Sequence, residues 1–476
     1  MSTDERIVSI VLAAGLGTRM RSSRPKVLHE VAGRPLVAWA VETARAAGAT
    51  DVVVVVGHGR DQVEAALAER FGASVRTAEQ PEPRGTGDAV RCALPAIEGF
   101  AGTVVILHGD CTLIPPAAIT ALLGAKSASV SALAMITATM DDPTGYGRIL
   151  RDASGAVVGI REHRDCSETE RSIREVNPAV YAVDAAFLRD AVARLSANND
   201  QGELYLTDVV ADAAARGRVA DARWSMADLI GINDRHELAL ADRAKRFAIN
   251  RQHAIAGVTI RDPATAWIDA GVVIAQDVTI EPNVVLRGEC SIGARARIDV
   301  GCVLSDVHVD EDAWLKPYTV ASGSRVGVAA QTGPFAHLRP DTDLGPDTRV
   351  GNFVETKKTR MGRGSKAGHL AYLGDGEIGE DVNVGAGTIF CNYDGIQKHR
   401  TVLEDGCFIG SDTQIVAPIT VGKGAYVGTG TTVTRNVPAD ALAISRPKQV
   451  NKEGYASLLR QRFEAAKKAK KTPEGG

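Results

Sequence analysis

Residues 272–304 read VVIAQDVTIEPNVVLRGECSIGARARIDVGCVL, and this stretch decides the fold of the second half of the chain. Branched aliphatics fall at Ile274, Ile280, Leu286, Ile292, Ile298 and Leu304, one every six residues without a slip. Two places before each stand Val272, Val278, Val284, Cys290, Ala296 and Cys302, all small or modest in size. A helix repeats every 3.6 residues and a half-buried strand every two, so neither explains a period of six. A coil with three flat sides does: one hexapeptide per side, the aliphatic inward, glycines and small residues at the corners. The spacing resumes at Val320, Val326, Thr332, Leu338, Leu344 and Val350, and again at Ile409, Ile415, Val421, Val427 and Val433. Coils stack at about 4.8 Å, so about nine of them make a prism roughly 40 Å long. A sandwich of regular short strands is the competing reading, and seventeen positions in three unbroken runs argue against it. Glu355 to Asp375 and Thr388 to Asp405 break the rhythm and are expected to project as loops, where sites are built.

The first half has another grammar. Ile7 to Leu12, Val52 to Val56 and Val104 to Leu107 are short apolar runs, broken only by Ser9, as expected of strands buried on both faces. Helical patterns such as Leu36 to Ala47 and Arg60 to Phe71 lie between them, which points to a mostly parallel sheet covered by helices. Ligands then bind beyond the carboxyl ends of the strands. Two motifs fall there, Gly15-Leu16-Gly17-Thr18-Arg19 and His108-Gly109-Asp110. From Asn233 to His253 a charged helix follows, with Leu240, Ala244, Phe247 and Ala248 on one stripe.

Composition bounds the function. The 476 residues are 45% apolar and 24% charged, which excludes global disorder, and the net charge of −3 lacks the basic excess of a nucleic-acid binder. Glycine is abundant at 48 residues and aromatics scarce at 4%, which suits tight turns around a narrow interior. The seven cysteines (Cys92, Cys111, Cys166, Cys290, Cys302, Cys391 and Cys407) form no CxxC pair, as in a reduced, cytoplasmic protein. The opening MSTDERIVSIVLAAG has neither the charge pattern of a signal peptide nor the length of a membrane span. The tail from Tyr455 to KKAKK and TPEGG reads as a frayed basic helix.

Leu12-Ala13-Ala14-Gly15-Leu16-Gly17-Thr18-Arg19-Met20 fails as a dinucleotide fingerprint, because Met20 stands where a glycine is needed, and lacks the Gly-Lys-Ser/Thr of a Walker loop. What remains is a glycine turn whose amides can wrap phosphates, with Arg19 and Lys26 to neutralise them, or a plain glycine turn. In the second half, His369 lies beside lysines and a tyrosine, and imidazole titrates nearest neutrality, which suits a general base.

LAAGLGTRM followed by PKVL resembles the signature of sugar-1-phosphate nucleotidylyltransferases. The order of Glu79-Gln80, Gly85-Thr86-Gly87, Gly109-Asp110, Asp142 to Arg148, Glu162-His163 and Gly231-Ile232-Asn233 continues that likeness. With His369-Leu370-Ala371-Tyr372-Leu373-Gly374-Asp375 and Cys391-Asn392-Tyr393-Asp394-Gly395, nearly the whole chain resembles one bacterial family: N-acetylglucosamine-1-phosphate uridyltransferases fused to glucosamine-1-phosphate acetyltransferases.

The resemblance implies an α/β fold: a Rossmann-like nucleotidyltransferase domain over 1–232, a linker helix over 233–255, a left-handed parallel β-helix of hexapeptide repeats over 256–446 and a tail over 447–476. It implies that Leu12, Ala13, Ala14, Gly15, Lys26, Gln80, Gly85, Thr86, Gly109 and Asp110 bind UTP, with Arg19 and Lys26 catalytic. Gly147, Glu162, Asn177 and Asn233 are implied for the sugar phosphate, and Asp110 with Asn233 for Mg²⁺. In the acetyltransferase, His369 is the implied base and Arg339, Lys357, Tyr372 and Asn383 the implied substrate contacts. Ala386, Asn392, Tyr393, Ser411, Thr429 and Arg446 are implied for acetyl-CoA. A homotrimer is implied as well, with no nucleic acid and no membrane insertion. The chain departs from the family at His108, usually tyrosine, at Pro178-Ala179, usually Thr-Gly, and at Thr429, commonly alanine. A nucleotidyltransferase with a merely structural or regulatory coil is the alternative.

Overall fold

The computed structural model describes residues 6–199 and 201–469; Met1–Glu5 and the end of the basic tail from Lys470 lie outside the described residues. The chain forms two compact units, one of residues up to 274 with 280–290, the other of 275–279 with 291 onward.

The first unit is a twisted sheet between helices. In chain order its elements are β1 (Ile7–Leu12), α1 (Leu36–Ala46), β2 (Asp51–Val56), α2 (Arg60–Phe71), β3 (Arg76–Glu79), α3 (Thr86–Ala93), β4 (Thr103–His108), α4 (Pro116–Ser129), β5 (Leu133–Thr139), β6 (Gly147–Arg151), β7 (Val157–Arg161), β8 (Glu175–Asn177), β9 (Tyr181–Asp184), α5 (Ala185–Ala193), α6 (Asp208–Arg216), β10 (Ala220–Arg223) and α7 (Arg235–Ile255). The strands stand in the order β3-β2-β1-β4-β9-β5-β8-β6-β7, with β10 also on β5. β1 pairs in parallel with both β2 and β4, and β9 enters antiparallel between β4 and β5. Val52 to Val56 and Val104 to Leu107 are buried throughout, and two apolar clusters cover the two faces of the sheet. These runs need no alternation because helices shield both sides.

α7 starts cleanly because Asp234 caps it, accepting from the N–H groups of His236 and Glu237. Its expected packing stripe is corrected: Leu240 and Phe247 are exposed, while Ala241, Ile249 and Asn250 are buried. The helix is fastened by polar contacts instead. Asn250 Nδ2 donates to Pro263 O and Ala266 O, both at 2.9 Å, and Arg246 is 2.8 Å from Asp269. The opening coils belong to this unit: Trp267–Ile268 pairs with Val285–Leu286, and Ala270 N–H donates to Ala32 O.

The second unit is a left-handed parallel β-helix. Successive coils pair in register, as in Arg297 with Trp314 and Trp314 with Gln331, and Ile292, Ile298, Leu304, Val309 and Leu315 are buried inside. Three expectations are corrected. Val320 is exposed and Ala321 takes the inward place, because two hexapeptides are shortened to five residues, at Val309 and at Val326. Glu355 to Asp375 does not project; it forms regular coils with Thr356, Met361, Ala367 and Leu373 inward, and polar Thr356, small Ala367 and a five-residue step between Thr356 and Met361 hide the period. Many corners are turned by aspartate rather than glycine: Asp277, Asp312, Asp341, Asp347, Asp381 and Asp412 have φ between 53° and 65°. Glycine is required where coils touch, since a Cβ on Gly351 would lie 1.8 Å from Gly368 O. The second interruption does project, as a loop after Ile389–Cys391 that returns at Thr401–Leu403.

Candidate active sites

β1 and β4 end side by side, Leu12 opposite His108, where the strand order turns back. The turn after β1 closes through Gly17 at φ 60°, where a Cβ would lie 2.5 Å from Lys26 Cβ, so only glycine lets the turn fold onto Lys26. Lys26 Nζ forms an ion pair with Asp110 Oδ2 and lies 3.3 Å from Asn233 Oδ1, which also accepts from Arg19 at 2.9 Å. Burial pushes the Asp110 carboxyl up, but Lys26 and His108 outweigh it and hold the pKa below its ordinary value. Asn233 is oriented by its own N–H, which donates to Glu237 Oε2 at 2.6 Å.

Two cavities meet here. One, of about 260 Å³, is lined by Leu12, Ala13, Ala14, Gly15, Lys26, Gln80, Gly85 and Thr86. The other, of about 400 Å³, is lined by Arg19, Gly147, Glu162, Asn177 and Asn233. Thr86, His108 and Asp110 line both. Gly109 sits behind the junction, its N–H donating to Leu12 O and its missing side chain making room for Ala13.

The supporting contacts are local in sequence but for one, between Thr207 and Glu162. Gln80 Nε2 donates to Gly85 O at 3.1 Å and Asp88 Oδ2 at 3.0 Å, which fixes its amide. Burial raises the pKa of Glu162, and Thr207 Oγ1 donates to it at 3.1 Å. Asn177 Nδ2 donates to Tyr181 Oη at 2.7 Å, and its Oδ1 accepts from Ala179 N–H at 3.0 Å. That turn holds Ala179 at φ 58°, a conformation in which glycine would be relaxed. Thr207 was missed in the sequence because its partner is 45 positions away and no spacing rule links them.

On the coil the candidates divide. His369 follows inward Ala367 by two places, and Asn352, Ala386, Ser411 and Thr429 stand in the same place on neighbouring coils. They form a file along one edge, which Arg446 closes by donating to Thr429 O. His369 Nδ1 lies 2.6 Å from Asn352 Oδ1. Since that oxygen can only accept, Nδ1 carries the hydrogen and Nε2 is left as a base. His369 opens on a groove of about 270 Å³ that Lys316, Gln331, Arg349 and Asn352 also line. Asn383 lies on the flat face beside this file, paired with Lys366 and Phe408.

The remaining candidates occupy another edge. Arg339 donates to Glu355 at 2.7 Å, and Lys357 has its pKa lowered by Lys398 and Arg339 nearby. Tyr372 Oη and Asn392 Nδ2 converge at Gly374, and Asn392 donates to Asp375 at 2.5 Å. Tyr393 is exposed, its hydroxyl donating to Gly395 O at 2.6 Å. Asn392 and Tyr393 therefore stand with the cationic cluster and not along the His369 file. None of Arg339, Lys357 and Tyr372 is among the described residues that line the His369 groove. Asn352 and Lys398 were missed: Asn352 stands 17 places before His369, one coil length, a signal available once the coil is phased, whereas Lys398 is brought in by a loop with no period.

The fold and these sites define a nucleotidyltransferase joined to a hexapeptide-repeat transferase. The MobA-like NTP transferase domain family matches residues 9–205, and the bacterial transferase hexapeptide family (six repeats) matches residues 400–435. The chain is 58% identical over 468 residues to the bifunctional protein GlmU of Sorangium cellulosum, covering 97% of this chain and 98% of that protein. It is 48% identical over 462 residues to that of Pelobacter propionicus (96% and 100%), and 46% identical over 472 residues to that of Geobacter sulfurreducens (95% and 98%). The chain belongs to the GlmU family of bifunctional proteins. It is an enzyme with two activities, acetyl transfer to glucosamine 1-phosphate and uridylyl transfer to N-acetylglucosamine 1-phosphate, and a coil of merely structural purpose is not favoured.

Proposed function

We propose that the two activities are divided between the two sites as follows. The smaller cavity takes the uracil and ribose of UTP against Leu12 to Gly15, Gln80, Gly85 and Thr86. Its triphosphate crosses the glycine turn to Arg19 and Lys26. The larger cavity takes N-acetylglucosamine 1-phosphate through Gly147, Glu162 and Asn177. A phosphate oxygen of the sugar attacks the α-phosphorus, the bond to the β-phosphate oxygen breaks, and pyrophosphate leaves. Positioning and charge neutralisation carry such a reaction. The observation that supports this reading is the meeting of the two cavities at Asp110.

Asp110 and Asn233 fit Mg²⁺: a carboxylate and an amide oxygen, both hard donors, converge on one ammonium, that of Lys26. When bound, the ion would neutralise phosphate charge at that point, leaving Lys26 and Arg19 to hold the leaving pyrophosphate.

For acetyl transfer, Nε2 of His369 takes the proton of the glucosamine ammonium, the freed amine attacks the thioester carbonyl, and CoA leaves as the thiol. Acetyl-CoA runs along the Ala386, Ser411 and Thr429 file to Arg446, while Arg339, Lys357 and Lys398 grip the sugar phosphate. The products are N-acetylglucosamine 1-phosphate and then UDP-N-acetylglucosamine, the nucleotide sugar of cell-wall synthesis.

The base and the phosphate grip lie on different edges of one chain, so we propose a homotrimer in which neighbouring prisms complete each acetyl site. An exposed apolar column supports it: Tyr318, Phe335 and Phe353 stack with centroids 5.2 and 5.6 Å apart, and Leu370 follows at the same corner beside His369. A cytoplasmic setting accords with seven cysteines that form no disulfide among the described residues, and no described helix is long and apolar enough to cross a membrane. The test is separation of activities: Asp110→Ala is expected to abolish uridylyl transfer alone, and His369→Ala acetyl transfer alone. Loss of both activities from either change in a folded trimer would refute the division.

A further inference from the structure

A groove of about 570 Å³ lies on the first unit and shares no lining residue with the nucleotide and sugar cavities. Its walls are α1 at Trp39 and Thr43, the segment Leu113–Pro116 that follows Asp110 and Thr112, and α7 at Ala244, Lys245 and Ala248. Most of this lining is apolar, and neither proposed reaction uses it.

Lys245 is the exception. Its ammonium carries three donors. Among the described residues it meets one acceptor, Thr112 O at 3.1 Å, and the face of Trp39, whose centroid is 3.9 Å away. Burial lowers its pKa to about 8, against the pull of Glu42 and with a push from Arg34. A half-covered ammonium with donors left over is costly unless an acceptor arrives from the groove. The carboxylates of the lining already have partners. Glu42 lies 2.6 Å from Arg34 and 3.0 Å from Arg70, and Asp228 accepts from Trp224 Nε1 at 3.0 Å.

We infer that this groove is a second ligand site, for a small organic acid whose carboxylate meets Lys245 and whose apolar body packs on Trp39, Leu113–Pro116 and the alanines of α7. Specificity rests on charge at one end and apolar contact along the rest, the usual make-up of a small-molecule pocket.

Equilibrium dialysis of the full-length protein with 1-naphthaleneacetate and with its uncharged amide separates the two contributions. The acid is expected to bind about tenfold tighter than the amide, as one charge-assisted contact allows. Lys245→Met should erase that preference while leaving amide binding unchanged. Lys245→Gln should do the same, and Lys245→Arg should keep the preference. UTP should displace neither probe. The inference is overturned if wild-type protein binds both probes equally or neither, if Lys245→Met still prefers the acid, or if UTP displaces the acid.

Discussion

The two units solve the same problem, gathering reactive groups, by opposite means. In the sheet unit Arg19, Asp110 and Asn233 come from segments more than 90 residues apart, yet one chain brings Asp110 and Asn233 onto the Lys26 ammonium and Arg19 onto Asn233. In the coil, Arg339, Lys357 and His369 lie within 31 positions of one another, yet they face different edges. A wound parallel sheet points all its carboxyl ends the same way, so loops of any separation converge. A coil brings together only places one turn apart, and a site wider than one edge calls for a second prism.

The contrast is most exposed to the single-site changes. Asp110→Ala is expected to cost uridylyl transfer about 10³-fold or more, since it removes charge at the junction of both cavities, with acetyl transfer within twofold. His369→Ala should lower acetyl transfer by about 10² to 10⁴, the usual range for a general base, and leave the other rate alone. Separate assays of both products would measure each. A mixing experiment asks whether the coil site needs a neighbour. His369→Ala and Arg339→Ala proteins, each nearly inactive in acetylation, should on unfolding and reassembly together recover about a quarter of wild-type activity. No recovery would return the whole site to one chain.

Smaller effects sharpen the picture of the sheet unit. Ala179→Gly should relieve its positive φ and stabilise by about 1 kcal/mol, raising the melting temperature of that unit by about 2–4 °C. Lys245 offers a pH test. Between pH 8 and the ordinary lysine value of 10.5 the unfolded chain keeps a proton that the folded chain has lost, so stability climbs with pH across this window. Glu42 and Arg34 are the charged groups that face it. Lys245→Met should flatten the climb in melting curves taken from pH 7.5 to 10.5.

Much of this architecture was legible beforehand, for a definable reason. The coil announces itself wherever its inward place holds a branched aliphatic, as from Ile274 to Leu304. It falls silent at Ala321, Thr356 and Ala367, where small or polar groups fill the same place, and so regular coils passed for an insertion. The glycine turn and Asp110 could be placed at strand ends because buried parallel strands are near-continuous apolar runs. The stripe on α7 misled because that helix is held by Asn250 and Arg246 and not by its apolar face. The division of the coil's candidates between edges escaped notice because residue type says nothing of which side a hexapeptide occupies until every coil is phased.

The file from Asn352 through His369, Ala386 and Ser411 to Thr429 has a further meaning. Each member sits one strand spacing from the next, so the edge is graduated like a ruler with marks about 4.8 Å apart. Deleting one whole coil between His369 and Thr429 would let every remaining rung re-pair while shortening the measured distance by a single mark. Reach along this edge is thus set by how many turns are wound, and a lineage could retune it to a longer or shorter acyl carrier by counting coils instead of changing side chains.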